Sequence, residues 1–476
     1  MHIRKKHVFV FFLITGIALC AQSLLAQQGG PLYLPDAVEA GLKNYQSIQA
    51  KQNYLNASTA AVQNTKNEYL PNLIGSLQQS YGTVNSQFGP VGAVGLPGAG
   101  GGLAAGSSGP QSATQNWDAA FGALYILNTN WEFFSFGRVK SKVRLSTSQA
   151  EKDLADLTQE QFIHTIKVSS AYLNLLISQR LVQNSQANLD RTVSIQQSVR
   201  ARTRSGLNAG VDSSTANAEV SRARLAYIES NNNEQQLRNQ LAQLLNTPPI
   251  ASVLDSSFLS RTPTQFDTNK DINQNPQVRF YQSRVDQGNS SVTYLKRSIL
   301  PGLNFFGIYQ GRASGFGYGY TPGSSDNYSK SYSDGVSPSR YNYLLGMSLS
   351  WNILSLAKIS QQVNSQKFIA AAYQNEFDLI TTQLKNQLIL ADQRIANSLQ
   401  SVAEVPLQLN AARDAYNQKS VLYRNGLVNI VDLQLARFTL SRAETDMSVA
   451  YINVWQALLL KAAASGDIEL FINQAR

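Results

Sequence analysis

The sequence predicts an α+β membrane protein built from an internal duplication, with long helical hairpins and four amphipathic strands in each chain. Three observations point there. Segments carrying Trp, Gly and Asp recur at one constant spacing. Residues 141–205 contain no proline and only a sparse apolar stripe, the pattern of one very long helix. Short stretches alternate apolar with small or polar residues and carry aromatics near their ends, as strands that cross an outer membrane do.

The duplication is read from matched residues. Asn130-Trp131-Glu132-Phe133-Phe134-Ser135-Phe136 returns as Ser350-Trp351-Asn352-Ile353-Leu354-Ser355-Leu356. Arg204-Ser205-Gly206-Leu207 returns as Arg424-Asn425-Gly426-Leu427, and Val211-Asp212 as Val431-Asp432. These pairs share an offset of 220. Leu70-Pro71-Asn72-Leu73 returns as Leu300-Pro301-Gly302-Leu303 at an offset of 230. The offset therefore changes between these matches, across residues 74–129, where the loops should differ in length.

Residues 141–205, if helical throughout, span roughly 100 Å, too long for one compact domain. The counterpart at about 356–424 is interrupted only by Pro406, which should kink it or end one helix and start another. The returning helix carries Leu433, Leu440, Met447 and Val454 every seven residues, with Ala436, Ala443, Ala450 and Ala457 three residues behind them. That is a coiled-coil seam with alanine at every d position, which lets axes approach closely. The first half keeps it less strictly, with Val220 and Leu241 at a, and Ala216, Ala223 and Leu244 at d.

Four segments read as strands. In 341–351, Tyr341, Tyr343, Leu345, Met347, Leu349 and Trp351 occupy one face, and mostly small or polar residues the other. Segment 121–131 repeats the pattern, while 72–82 and 303–310 match it less well. The two intervening loops are long. Residues 83–120 hold nine glycines, and 311–340 are rich in Gly, Ser and Tyr. Structureless loops of this length are unusual in compact domains but normal on the outer face of a bacterial barrel. Gly98 to Gly102 is no phosphate loop, since no Gly-Lys-Ser/Thr follows. Four strands cannot close a membrane barrel, for which about eight is the minimum, so several chains must each contribute four.

Composition narrows the function classes. Of 476 residues only 15% are charged, and the net charge of +10 is spread without basic runs, which argues against nucleic-acid binding. The lone cysteine is Cys20, and the histidines are His2, His7 and His164. That leaves no disulfide framework and no Cys/His zinc site. A Ser-His-Asp triad would have to use His164, which reads instead as an ordinary helix histidine. An exported hydrolase is thus disfavoured.

Arg4, Lys5 and Lys6 precede an apolar run from Val8 to Leu19, too short to span a bilayer, with small residues following. This reads as a signal peptide over 1–26, with cleavage after Ala21 or Ala26. Cys20 is an alternative lipidation site, because Ile17-Ala18-Leu19-Cys20 loosely follows a lipobox, although Leu19 fits poorly before a lipidated cysteine.

The order of signal peptide, helix, Leu-Pro-x-Leu, strand, glycine-rich loop, strand, long helix, glycine turn and helix, with all but the first repeated, resembles the TolC-like outer-membrane efflux proteins (outer membrane factors). The resemblance covers essentially the whole mature chain and rests on the duplicated architecture, not on one motif. It implies a homotrimer whose 12-stranded β-barrel in the outer membrane of a Gram-negative bacterium continues as a long α-helical barrel in the periplasm. It implies a passive exit duct for a tripartite efflux pump or type I secretion system, with no catalysis, cofactor or metal of its own. Its partners would be a periplasmic adaptor (membrane fusion) protein, an inner-membrane pump and outer-membrane lipid, with no nucleic acid. The chain then divides into a first repeat at 27–246 with its hairpin at 141–246, an equatorial connection at 247–271, a second repeat at 272–465 with its hairpin at 356–464, and a tail at 466–476. The adaptor-contact tip would comprise Arg204, Gly206, Leu207, Arg424, Gly426 and Leu427. Asp212, Tyr423 and Asp432 would form the periplasmic gate, with Tyr423 bonded to Asp212. Glycine is expected wherever helices reverse, and a carboxylate in a first turn meets the positive end of the helix dipole, so structure alone also accounts for these glycines and aspartates. Leu435 stands where the family often has a second acidic residue, which weakens any claim to a double carboxylate ring. The rival is a soluble periplasmic coiled-coil adaptor or scaffold, against which the amphipathic segment 341–351 argues.

Overall fold

The structure, a computed structural model, describes residues 31–83, 115–249, 253–268, 270–321 and 327–475. The expected signal peptide, Cys20 and the Gly98–Gly102 run lie outside them. The chain forms two compact units: Thr59–Thr147 with Gly288–Phe368, and Met1–Ser58 with Ser148–Gln287 and Ile369–Arg476. In chain order the elements are α1 (Leu34–Asn44), α2 (Gln46–Lys66), β1 (Asn72–Thr83), β2 (Ala119–Phe134), α3 (Arg138–Arg204), α4 (Gly210–Leu245), α5 (Pro276–Arg297), β3 (Gly302–Ser314), α6 (Tyr332–Val336), β4 (Arg340–Ser350), α7 (Ser355–Arg424), α8 (Ile430–Ser465) and α9 (Glu469–Ile472). No helix among the described residues is long and apolar enough to cross a membrane.

The first unit is built on one antiparallel sheet in the order β1-β2-β3-β4. Its register sorts the side chains into two faces, because directly paired residues point the same way. Leu77 pairs Tyr125, Tyr125 pairs Gly311, and Gly311 pairs Tyr341. That face therefore also holds Leu73, Tyr81, Phe121, Leu127, Phe305, Tyr309, Tyr343, Leu345 and Met347. The opposite face holds Ser76, Gln78, Asn128, Asn130, Gln310, Asn342 and Ser348, mixed in its middle with Leu124, Ile126, Phe306 and Ile308. The alternation seen in 341–351 thus extends across all four strands, although the second face is less polar than that segment alone implied. β3 runs to Ser314, beyond the expected 303–310.

The duplication is visible in hydrogen bonds. Trp131 Nε1 donates to the Tyr69 carbonyl at 2.8 Å, and Trp351 Nε1 to the Ile299 carbonyl at 3.0 Å. Trp131 and Trp351 carry the offset of 220, Tyr69 and Ile299 that of 230. Each half thereby ties the end of its second strand to the residue preceding its Leu-Pro.

Two expectations are corrected. The stretch after β3 is not structureless. Phe316 and Tyr328 form an antiparallel bridge and stack at 5.4 Å, Tyr320 closes on both rings, and α6 follows. Gly335 permits this, since a Cβ there would collide with Phe121. Pro406 does not end a helix: α7 runs through it for 70 residues. Proline forfeits one backbone bond, to the Val402 carbonyl. The neighbouring Val405 is buried, and the apolar seam continues on either side through Ile395 and Ala412.

The second unit is helical and has its main core where Tyr172, Leu173 and Leu176 of α3, Leu241 and Leu245 of α4, and Ile452, Trp455 and Leu458 of α8 meet. Phe258 and Phe471 complete it, with Trp455 in edge contact with both. Residues 253–268 are held there by polar bonds: Trp455 Nε1 donates to the Arg261 carbonyl at 3.0 Å, and the Tyr172 hydroxyl donates to the Leu32 carbonyl at 2.7 Å and accepts from Asp255 N at 3.1 Å. Ala443, Ala450 and Ala457 of the alanine seam are buried, and Ala436 is half-buried.

His164 is buried and stacks on Tyr45 with ring centroids 3.9 Å apart. Burial, the largest influence, lowers its pKa, with Lys167 acting the same way and Glu160 opposing. The unfolded chain therefore binds the proton more readily, and stability falls as pH drops below the ordinary histidine value of about 6.5, levelling out below the folded pKa. Thermal unfolding should show a smaller loss between about pH 7.5 and 5.5 in His164→Phe, which keeps the stack without titrating. In the seam, Ala443→Leu overpacks the contact with Ala412 and Leu440 and should cost about 1–3 kcal/mol, read as a lowered melting temperature in detergent.

Candidate functional site

The two helix reversals are built alike. α3 ends with Gly206 at φ +73° and α7 with Gly426 at φ +74°. Leu207 N donates to the Arg202 carbonyl at 2.9 Å and Gly206 N to that of Thr203 at 3.1 Å. Leu427 N donates to the Leu422 carbonyl at 2.9 Å and Gly426 N to that of Tyr423 at 3.0 Å. Both are Schellman closures with glycine at the left-handed position, where a Cβ is disfavoured. Leu207, Val211, Leu427 and Val431 project from the turns, each at least 65% exposed, and Arg204 and Arg424 are exposed beside them.

Beneath the turns, Tyr423 is buried with Val199, Ala216, Ile430 and Leu433. Burial raises its pKa, so it stays a neutral donor and acceptor. The expected direct bond from Tyr423 to Asp212 is replaced by a relay. Asn208 Nδ2 donates to Asp212 Oδ2 at 2.8 Å and to the Tyr423 hydroxyl at 3.3 Å. Asn208 Oδ1 accepts from Arg202 Nε at 2.9 Å. Arg202 Nη1 donates to the Arg424 carbonyl at 2.8 Å and that of Tyr423 at 3.4 Å, with its guanidinium 5.5 Å from the Tyr423 ring centroid. Asparagine stands four residues before Asp212, near enough to hold the carboxylate, and so intercepts it. Arg202 neutralises carbonyls at the C-terminal end of α7, where the helix dipole is negative.

Asp432 is not part of this relay. Its backbone N–H donates to the Asn429 side chain at 2.9 Å, so Asn429 is the cap. Its carboxylate faces Lys419 at 4.0 Å, a half-exposed pair of little energetic weight. The structure brings Asp212 and Tyr423 into one network and leaves Asp432 outside it. Arg202 and Asn208 were missed in the sequence because matching the two halves selects what they share. Their counterparts at the 220 offset are Leu422 and Val428.

The family model described as outer membrane efflux protein matches residues 37–247. Over these residues the chain is similar to the outer membrane efflux protein family. No curated protein sequence matches the chain. Solved structures extend the likeness of fold to both halves. The Campylobacter jejuni CmeC outer membrane channel aligns over 91% of this chain and 85% of its own, with a TM-score of 0.72 at 15% identity. VceC from Vibrio cholerae aligns over 91% and 96%, with 0.70 at 14%. The open-state MtrE outer membrane channel of Neisseria gonorrhoeae aligns over 91% and 89%, with 0.69 at 16%. At these identities the structures speak to fold. The long hairpins and small antiparallel sheet share the fold of these structures.

Gly206→Ala and Gly426→Ala each force a Cβ into the left-handed region and should cost about 1 kcal/mol apiece, read from thermal unfolding in detergent. Similar losses at both positions are expected, because the two closures are alike.

Proposed function

We propose that the chain is the outer-membrane exit duct of a tripartite efflux pump or type I secretion system, passively conducting substrate from a periplasmic adaptor and pump to the exterior. The observation that carries this is the sheet, which has one apolar aromatic face and two open edges. In water that face would leave Tyr343 and Met347 more than 70% exposed. A soluble adaptor gains nothing from such a surface, whereas lipid covers it. Neighbouring copies supply the missing strand pairs, and three chains give the twelve strands of the family barrel. Leu207 and Leu427, with Arg204, Gly206, Arg424 and Gly426 behind them, are the adaptor-contact tip.

The Arg202–Asn208–Tyr423–Asp212 network is the element that holds the tip at rest. It joins the turn of one hairpin to the last turn of α7, so parting the two must break it. Charge-assisted bonds of this kind contribute about 1.5–3 kcal/mol each when shielded and less when wet. An adaptor that binds the parted turns better than the joined ones shifts the balance by that difference. Asp432 contributes charge at the same tip without the latch.

Native mass spectrometry in detergent should find trimers, and a stable monomer needing no detergent would sink the reading. In planar bilayers, Arg202→Ala should raise conductance more than Tyr423→Phe, because it deletes three bonds and not one. Asn208→Ala should fall near Arg202→Ala. If all three conduct like the parent while trimers persist, the network is helix-end packing and the gate lies elsewhere.

A further inference from the structure

Arg312 of β3 and Arg340 of β4 are directly paired across the sheet. Like charges opposite one another destabilise a strand pair, so the pairing costs stability that the fold does not need. Neither side chain has a hydrogen bond or ion pair among the described residues, and both are exposed. The register puts them on the face of Gln78, Gln310 and Asn342, opposite the aromatic face.

The charges around them are few. On that face of the four strands the only other ionisable residue is Glu132, and it is paired with Arg138. It lies near the opposite end of β2 from Leu124, the partner of Arg312. Asp118, before β2, accepts from the Tyr320 hydroxyl at 2.8 Å. Asp334, in α6, accepts from Ser329 at 2.8 Å. The loop of residues 84–114 has no charged residue at all. Both arginines sit at the loop end of their strands, next to the segment that joins β3 to β4.

We propose that Arg312 and Arg340 form a cationic band inside the outer mouth of the duct, selecting for anionic solutes at the exit. This rests on the reading of the sheet as a barrel wall with its aromatic face toward lipid, which makes the arginine face the lumen. Rings of Arg or Lys set anion preference in pores. Two guanidinium groups side by side, repeated in each protomer and ion-paired with no carboxylate among the described residues, raise the local concentration of anions and repel cations. The guanidinium fork also suits carboxylate and phosphate geometry, so phosphorylated or polycarboxylate solutes should be held longest.

The test uses the full trimer in planar bilayers, with a potassium chloride gradient and with inorganic tripolyphosphate added to the loop side. The parent should favour chloride over potassium, and tripolyphosphate should reduce its current. In Arg312→Gln/Arg340→Gln the chloride preference should fall at least about twofold and the block should be lost, whereas Arg312→Lys/Arg340→Lys should keep both. Raising salt from about 0.1 M to 1 M shortens screening from about 10 Å to 3 Å and should weaken the effect in the parent. Unchanged ion preference and unchanged block in the glutamine variant, with pores intact, would overturn the proposal and leave the duct reading standing. Trimers that insert no pore would overturn the duct reading, and the proposal with it.

Discussion

The open edges of the sheet constrain everything else. Among the described residues β1 and β4 each present a row of unpaired N–H and C=O groups, because the strand order β1-β2-β3-β4 closes on no further strand there. In water such edges invite aggregation, and in lipid each unsatisfied group costs several kcal/mol. The aromatic face makes lipid the only solvent that covers the sheet cheaply, and lipid makes the open edges intolerable. Both demands are met when copies of the chain join edge to edge into a closed wall. The half-repeat supplies one strand pair and one helical hairpin, the chain supplies two, and on the proposed function the closed wall is completed by further copies.

Within that frame, duplication and divergence do different things. What the halves share is geometry: the Schellman closures at Gly206 and Gly426, the tryptophan ties from Trp131 and Trp351, and the alternation of the strands. What they do not share is polar chemistry. Arg202 and Asn208 face the carbonyl end of α7, and no equivalent pair faces the end of α3, because Leu422 and Val428 stand in those places. Arg312 and Arg340 are likewise private to the second strand pair. Two copies of one scaffold hold the shape, and the residues in which the copies differ give the assembled object a direction.

This division also explains what the sequence could disclose. Strand positions, the long helices, the turns and the alanine seam were legible because each is a periodic or repeated pattern tied to backbone geometry. The length of β3 and the ordering of 315–336 were not, since they depend on Phe316, Tyr320 and Tyr328 meeting across a loop and on Gly335 lying against Phe121. That α7 continues through Pro406 was not legible either, since it depends on the packing of Ile395, Val405 and Ala412 on either side. At the tip, the sequence located Tyr423 and Asp212 but not the asparagine that stands between them. A side chain four residues before a carboxylate competes for it locally, and no repeat or period marks that.

Motion at the tip also depends on what resists it higher up the hairpins. The buried Arg437 of α8 donates to Asn188 at 2.7 Å and Thr192 at 3.0 Å on α3, and pairs with Glu219 of α4 at 2.9 Å. One helical turn pair further along, Arg191 of α3 grips Glu444 of α8 with both nitrogens, at 3.0 and 2.6 Å. Buried ion pairs of this kind add little net stability over apolar contacts, but breaking one partner is expensive. Sliding α3 along α8 would strand these charges, and between α7 and α8 the alanine seam is joined by the pair of Lys461 with Asp392 at 2.7 Å. The helices are therefore pinned along their length by α3–α8, α4–α8 and α7–α8 bonds, and the relay of Arg202 and Asn208 is the last polar connection before they end. Displacement that breaks only this relay leaves the buried pairs intact, which makes the turns the least costly place for the hairpins to part.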